Sequence, residues 1–260
     1  MSDSTKVKGV VDIVVLLDVS GSMQECIDAV KASVSTFITQ LSSKDANNDS
    51  PIRDWRMKVV GYRDHQADPG NWFVDNPFAR DVAAVQSQLG SSGMQASGGG
   101  DEPESLLDAL FKVAEMDQCG VQETEDPNKW RAQGTCAKAV IFFTDATFKS
   151  PMTIPEAANG NVEDLISKLT KNELILCGFF PEWAGYDELG TVDGAFMQQV
   201  AKVADVPALA GLGKSGAEGK AAMVAAVEAM KSKATDSEVF TKLMIQLAKT
   251  VAKSVRVSAC

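Results

Sequence analysis

VDIVVLLDVSGSM, Val11 to Met23, is the stretch from which the fold is read. Val11, Ile13, Val14, Val15, Leu16 and Leu17 run too continuously for a strand with one wet face, so they predict a strand covered on both sides, as in a parallel sheet. The run stops at Asp18 and continues as Asp-x-Ser-x-Ser, which sets Asp18, Ser20 and Ser22 at the strand's carboxyl end. Ligand sites of open α/β sheets form there. One carboxylate and two hydroxyls are hard oxygen donors suited to Mg²⁺, an ion that prefers near-octahedral oxygen geometry and tends to keep waters. The plainer use of Asp18 and Ser20 is to cap the helix that starts near Gln24.

The remaining chain gives that strand a globular setting. At 260 residues, 45% hydrophobic and 23% charged, it has enough apolar material for one sheet between two helical layers. A formal net charge of −10 argues against nucleic acid as the main partner. Lys6 and Lys8 ahead of an apolar run look superficially like a secretion signal, yet Asp12 interrupts the run, and a first core strand is the better reading. No stretch reaches the roughly 18 apolar residues of a membrane span. Cys26, Cys119, Cys136, Cys177 and Cys260 are odd in number and contain no C-x-x-C, which indicates neither a disulfide framework nor a zinc site. A reducing, cytoplasmic setting is therefore expected; a Cys119–Cys136 bridge would revise it.

Along the chain, Ile27, Val30, Val34, Phe37, Ile38 and Leu41 mark an amphipathic helix. Residues 55–62 read as a second strand, 72–78 as a short edge strand because Pro77 would not suit a central one, and Val82, Val85 and Leu89 as a short helix. Pro103 suits the first position of a helix that continues through Leu106, Leu107, Leu110, Val113 and Ala114. Residues 117–137 form a long polar connection. Strands follow at 138–145 and 173–180, with a helix between them around Leu165, Ile166 and Leu169 and another expected over 195–203. Two C-terminal helices, near 216–230 and 237–255, carry stripes at Met223, Val227 and Met230 and at Phe240, Leu243, Met244, Leu247 and Val251. Those stripes would pack on the sheet layer or meet a partner chain. The ALAGLGKS stretch at 208–215 fails as a phosphate loop, which needs Gly where Ala208 stands and a preceding core strand.

Two further segments repeat the design of an element ending in oxygen ligands. SSGMQASGGGDEPES, residues 91–105, carries three consecutive glycines that let the backbone approach a bound group closely, followed by Asp101, Glu102 and Glu104. KAVIFFTD, residues 138–145, is a buried-type strand ending in Asp145. A doubly wound sheet would bring Asp18, Asp101 and Asp145 to one edge.

VVLLDVSGSM resembles the opening strand and metal-ion-dependent adhesion site loop of the von Willebrand factor A (vWA) family. GGGDEPES is similar to the second metal loop of those members that use a D-x-P-E motif in place of threonine, and FFTDAT to the third loop, with TDAT where TDG is commoner. A subset of intracellular vWA proteins joins a YRDH-like segment to GGGD-x-PE, and GYRDH at 61–65 resembles it. The resemblance implies a doubly wound, mainly parallel sheet with helices on both faces. The chain would be a single vWA domain over 1–260, with its core at about 10–205 and a helical extension at about 215–256. It further implies a Mg²⁺ site, with Mn²⁺ or Ca²⁺ as substitutes, formed by Asp18, Ser20 and Ser22 with Glu104 or Asp101 and, through water, Asp145. A partner protein's acidic side chain would fill the remaining coordination position. Helix-dipole placement is the alternative for Glu104, capping for Thr144 and Thr147, and an Arg63–Asp64 ion pair for the YRDH segment.

Enzyme readings fit less well. A Ser-His-Asp hydrolase pieced from Ser20 or Ser22, His65 and Asp145 lacks a G-x-S-x-G elbow. An aspartyl phosphotransferase would need an acid two residues after Asp18, where Ser20 stands. His65 is the only histidine, which excludes a multi-histidine metal site. The expectation is a binding module and not an enzyme, with a Mg²⁺-dependent phosphoryl or ester hydrolase as the competing reading.

Overall fold

β1, Val10–Asp18, is buried along almost its whole length, and the sheet assembles around it. The computed structural model describes residues 9–43, 52–100, 102–191, 197–202 and 211–257. On one side β1 pairs in parallel with β2, Asp54–Tyr62, and on the other with β4, Ala137–Phe143. The short β3, Phe73–Asp75, runs antiparallel along the edge of β2. β5, Leu174–Phe180, and β6, Met197–Lys202, extend the parallel run, giving the order β3-β2-β1-β4-β5-β6. In this register Asp18 stands beside Tyr62, and Leu17 beside Phe143, so the turns after β1, β2 and β4 leave the sheet together.

Side chains alternate across a strand, and β1 shows it directly. Val11, Ile13, Val15 and Leu17 join a core with α1 (Gln24–Leu41), α2 (Val82–Leu89), α6 (Gly216–Thr235) and α7 (Ser237–Val257). Val14 and Leu16 join the core on the opposite face with α3 (Leu106–Ala114), α4 (Val162–Lys171) and α5 (Ala184–Thr191). The expected α/β, doubly wound, mainly parallel sheet with helices on both faces is thus the observed one. In α1, Ile27, Val30, Val34, Phe37 and Leu41 are buried at three- and four-residue spacing. Each such side chain contributes about 1.5–3 kcal/mol on leaving water.

Several sequence expectations need correction. Residues 197–202 form a strand, not part of a helix: they pair with the otherwise open edge of β5, and satisfying that edge outweighs helical spacing. Residues 195, 196 and 203 of that expected helix lie outside the described residues. Pro103 does not open α3, which begins at Leu106; the intervening Glu104 bridges to Phe148 instead. α5 was not anticipated. On α6 Met230 is buried as expected, but Met223 and Val227 are half-buried, and the rest of the buried stripe is Gly219, Ala222, Ala226 and Ala234, small residues that let the helix lie close. α6 and α7 pack on α1, and α7 also reaches β5. Cys119 and Cys136 are both free. Among the described residues no helix is long and apolar enough to cross a membrane.

Candidate metal centre

Asp18 ends β1 with no solvent exposure. Its Oδ1 accepts from the Ser20 N–H at 2.9 Å and its Oδ2 from the Thr144 hydroxyl at 2.8 Å, which ties the turn after β1 to the turn after β4. Burial raises its pKa, against the pull of Ser20, Thr144 and the Arg63 charge. The capping alternative does not hold, since the residue before α1 is Met23 and no side chain caps that helix. Ser20 is buried and its Oγ has no hydrogen-bond partner, while Ser22 is half-buried beside Asp145.

The glycine run closes against this turn. The Ser97 N–H donates to Val19 O at 3.0 Å and the Gly21 N–H to Gly98 O at 3.2 Å. Gly99 has φ +90°, and a Cβ there would lie 2.5 Å from Ser20 Cβ and 2.6 Å from Glu104 Oε1. Only glycine allows that conformation together with such an approach, and it is how Ser20 and Glu104 come to border one another. Glu104 is pinned by its backbone, its N–H donating to Thr147 O at 3.0 Å and its O accepting from Lys149 N at 2.9 Å. Its side chain is buried, Oε2 has no partner, and its pKa is pushed up to about 10 by burial and by the negative charges of Asp18, Asp64 and Asp145. Asp101 lies outside the described residues.

Asp145, in the turn after β4, is fully buried with both carboxyl oxygens unpartnered. Burial, then the Asp18 charge, push its pKa up to about 7. The neighbouring threonines are occupied: Thr144 holds Asp18, and Thr147 donates from N at 3.2 Å and from Oγ1 at 2.5 Å to Glu102 Oε1. Thr147 therefore fixes the second loop to the third. Ser20 Oγ, Glu104 Oε2 and both Asp145 oxygens remain as four buried oxygens without a protein partner. Each such group costs about 1–3 kcal/mol if left unmatched, more when charged. Among the described residues no three His, Cys, Asp or Glu side chains form a metal-holding group by themselves; the candidate set depends on serine hydroxyls as well.

The GYRDH segment works as scaffolding. Asp64 pairs with Lys149 at 2.5 Å, not with Arg63 as the ion-pair alternative had it, and accepts from Gln66 N at 3.0 Å and Ser105 Oγ at 3.3 Å. The His65 ring meets Thr153 Oγ1 at 3.3 Å and the edge of Trp72, so no hydrogen bond joins it to Ser20, Ser22 or Asp145. Arg63 turns toward the glycine loop. Sequence reasoning missed Asp68, whose Oδ2 accepts from the Gly99 N–H at 2.6 Å; no motif marks it.

No family model matches the chain, and no curated protein matches it. Among solved structures it is similar to proximal thread matrix protein 1 from the mussel byssus, at 14% identity and a TM-score of 0.44, over 74% of this chain and 44% of that one. The chain thus spans less than half the length of that protein.

Proposed function

We propose that the carboxyl-edge pocket is a Mg²⁺ site of the adhesion type, in a vWA-like module that captures an acidic side chain of a partner protein. One observation carries the reading: Ser20 Oγ, Glu104 Oε2 and both Asp145 oxygens are buried without partners beside Asp18. Carboxylates gathered in a dry site repel one another, and a divalent cation removes both the repulsion and the unmet hydrogen-bonding demand. Mg²⁺ fits the all-oxygen donor set, and Mn²⁺ or Ca²⁺ would substitute. Asp18, Ser20 and Ser22 would hold it from the first turn, Glu104 from the second loop and Asp145 from the third, with Asp101 a further candidate. Two neutral hydroxyls among the ligands leave the ion more positive charge than an all-carboxylate set would, and so a stronger pull on an external carboxylate. The chain's own task is positional: Thr144 and Thr147 lock the three turns together.

Calorimetry on the purified chain tests the first half. Uptake of Mg²⁺ or Mn²⁺ that disappears in Asp18→Ala is expected, and no uptake by folded wild-type protein ends the reading. Capture of an acidic partner lost with EDTA and in Ser20→Ala supports the second half. Mg²⁺-dependent turnover of a phosphate ester, abolished in Asp18→Ala, would assign a hydrolase instead.

A further inference from the structure

Arg63 is nearly fully buried, and a buried guanidinium ordinarily faces a carboxylate. This one does not. Its Nε donates to Ser97 O at 2.7 Å, Nη1 to Asn71 O at 3.1 Å, and Nη2 to Gly93 O at 3.3 Å, Gln95 O at 2.9 Å and Ser97 Oγ at 3.3 Å. Its own N–H donates to Trp72 O at 2.8 Å, which anchors it just past the end of β2. Every side-chain contact is to a neutral oxygen, and most belong to residues 93–97, the segment that leads into the three glycines. Immediately beyond, the backbone of Val19 to Gly21 takes over through Ser97 N–H and Gly98 O, and Asp68 holds the Gly99 N–H.

We propose that Arg63 is the positioning residue of the metal site: its planar fork, and not its charge, fixes residues 93–97 so that Gly98 and Gly99 close on the Ser20 turn and bring Glu104 up to it. The inference rests on the metal reading above for its functional meaning, while its structural half stands by itself. Fixed fork geometry is what lets arginine gather several carbonyls at once; lysine offers a point charge on a flexible stem and cannot span them. Partners that orient a ligand loop without touching the metal are worth about 10- to 100-fold in metal affinity.

The test compares Arg63→Lys, Arg63→Gln and Asp68→Ala with wild type, by amide hydrogen exchange and by Mg²⁺ titration calorimetry. The expected result is loss of protection at Gly21, Ser97 and Gly99 in both Arg63 variants, with the β1 and β4 amides still protected. Mg²⁺ affinity falls at least tenfold in both, and saturating Mg²⁺ restores Gly99 protection because closure and binding are linked. Asp68→Ala, a change at a half-buried loop position that leaves the core intact, shows the same pattern at Gly99 with a smaller loss of affinity. Wild-type affinity and protection in Arg63→Lys, with loss only in Arg63→Gln, would show that charge is what matters and overturn the proposal. If the wild type takes up no Mg²⁺, the metal reading fails, and exchange in metal-free Arg63→Lys still decides whether the fork holds the loop.

Discussion

Asp12 and Asp18 lie on the same face of β1, at opposite ends of the strand, and neither has any exposed surface. Their surroundings are opposite. Asp12 receives Arg56 through Nε at 3.0 Å and Nη2 at 2.6 Å, the Arg131 N–H at 2.8 Å, and Arg131 Nη1 at 3.2 Å. Asp54 and Glu125 share Arg131, and Arg80 bridges the same two acids. Lys138, buried with no hydrogen bond to its Nζ, feels the charges of Asp12 and Glu173 at that end, and burial lowers its pKa. At the other end Asp18, Glu104 and Asp145 gather with no basic side chain in ion-pair contact among the described residues, and burial raises the pKa of all three. The same molecule that pairs a buried acid with two arginines at its amino edge leaves the three acids of its carboxyl edge without an ion pair among the described residues. The comparison gives the metal reading its physical weight.

The largest effect expected from this contrast is at the amino edge. Asp12→Ala takes from the buried Arg56 its bidentate carboxylate and from Arg131 one of its three acids, and should cost about 3–5 kcal/mol in urea unfolding. In metal-free protein Asp18→Asn should cost about 1 kcal/mol or less, since it removes a buried charge that no cation contacts. Equal costs for the two would break the comparison.

Next comes pH. Asp145 and Glu104 have folded pKa values pushed up to about 7 and about 10 from ordinary values of 3.8 and 4.5, so between those limits the folded chain binds more protons than the unfolded one. Metal-free stability should therefore fall as pH rises from about 4 through 7, by up to about 1.4 kcal/mol per pH unit for each group. Saturating Mg²⁺ should flatten that slope in urea titrations across pH; a metal-free curve that rises over this range would contradict the arrangement.

The smallest effect sharpens the geometry. Gly99→Ala meets both a positive φ and Ser20 Cβ at 2.5 Å, and should lower Mg²⁺ affinity about tenfold. Gly70→Ala, with nothing within 4 Å of its added carbon, should leave affinity unchanged.

Legibility in the sequence followed the range of the interactions. The apolar run from Val11 to Leu17, the strands ending at Tyr62 and Phe143 and the helix of Ile27 to Leu41 could be read because burial on a strand or helix imposes a local period. The D-x-S-x-S turn was legible for the same reason, as a break in that period. Met197–Lys202 was misread because its state depends on the free edge of β5, which no local window contains. On α6 only Met230 of the large residues is buried, because the alanines beside it permit a close approach that no spacing of large side chains signals.

By itself, then, the sequence determined the alternation of buried strands and amphipathic helices and the oxygen-bearing turns at strand ends, since both are written in residue type at short spacing. Only the tertiary structure decided which oxygens are satisfied. Thr144 is spent on Asp18 and Thr147 on Glu102, Arg63 serves the glycine loop and not Asp64, and Arg131, from the long polar connection, covers Asp12. Those pairings join residues up to 126 positions apart. Hydrogen-bond satisfaction depends on distances of a few ångströms between such segments, and only the folded chain sets them.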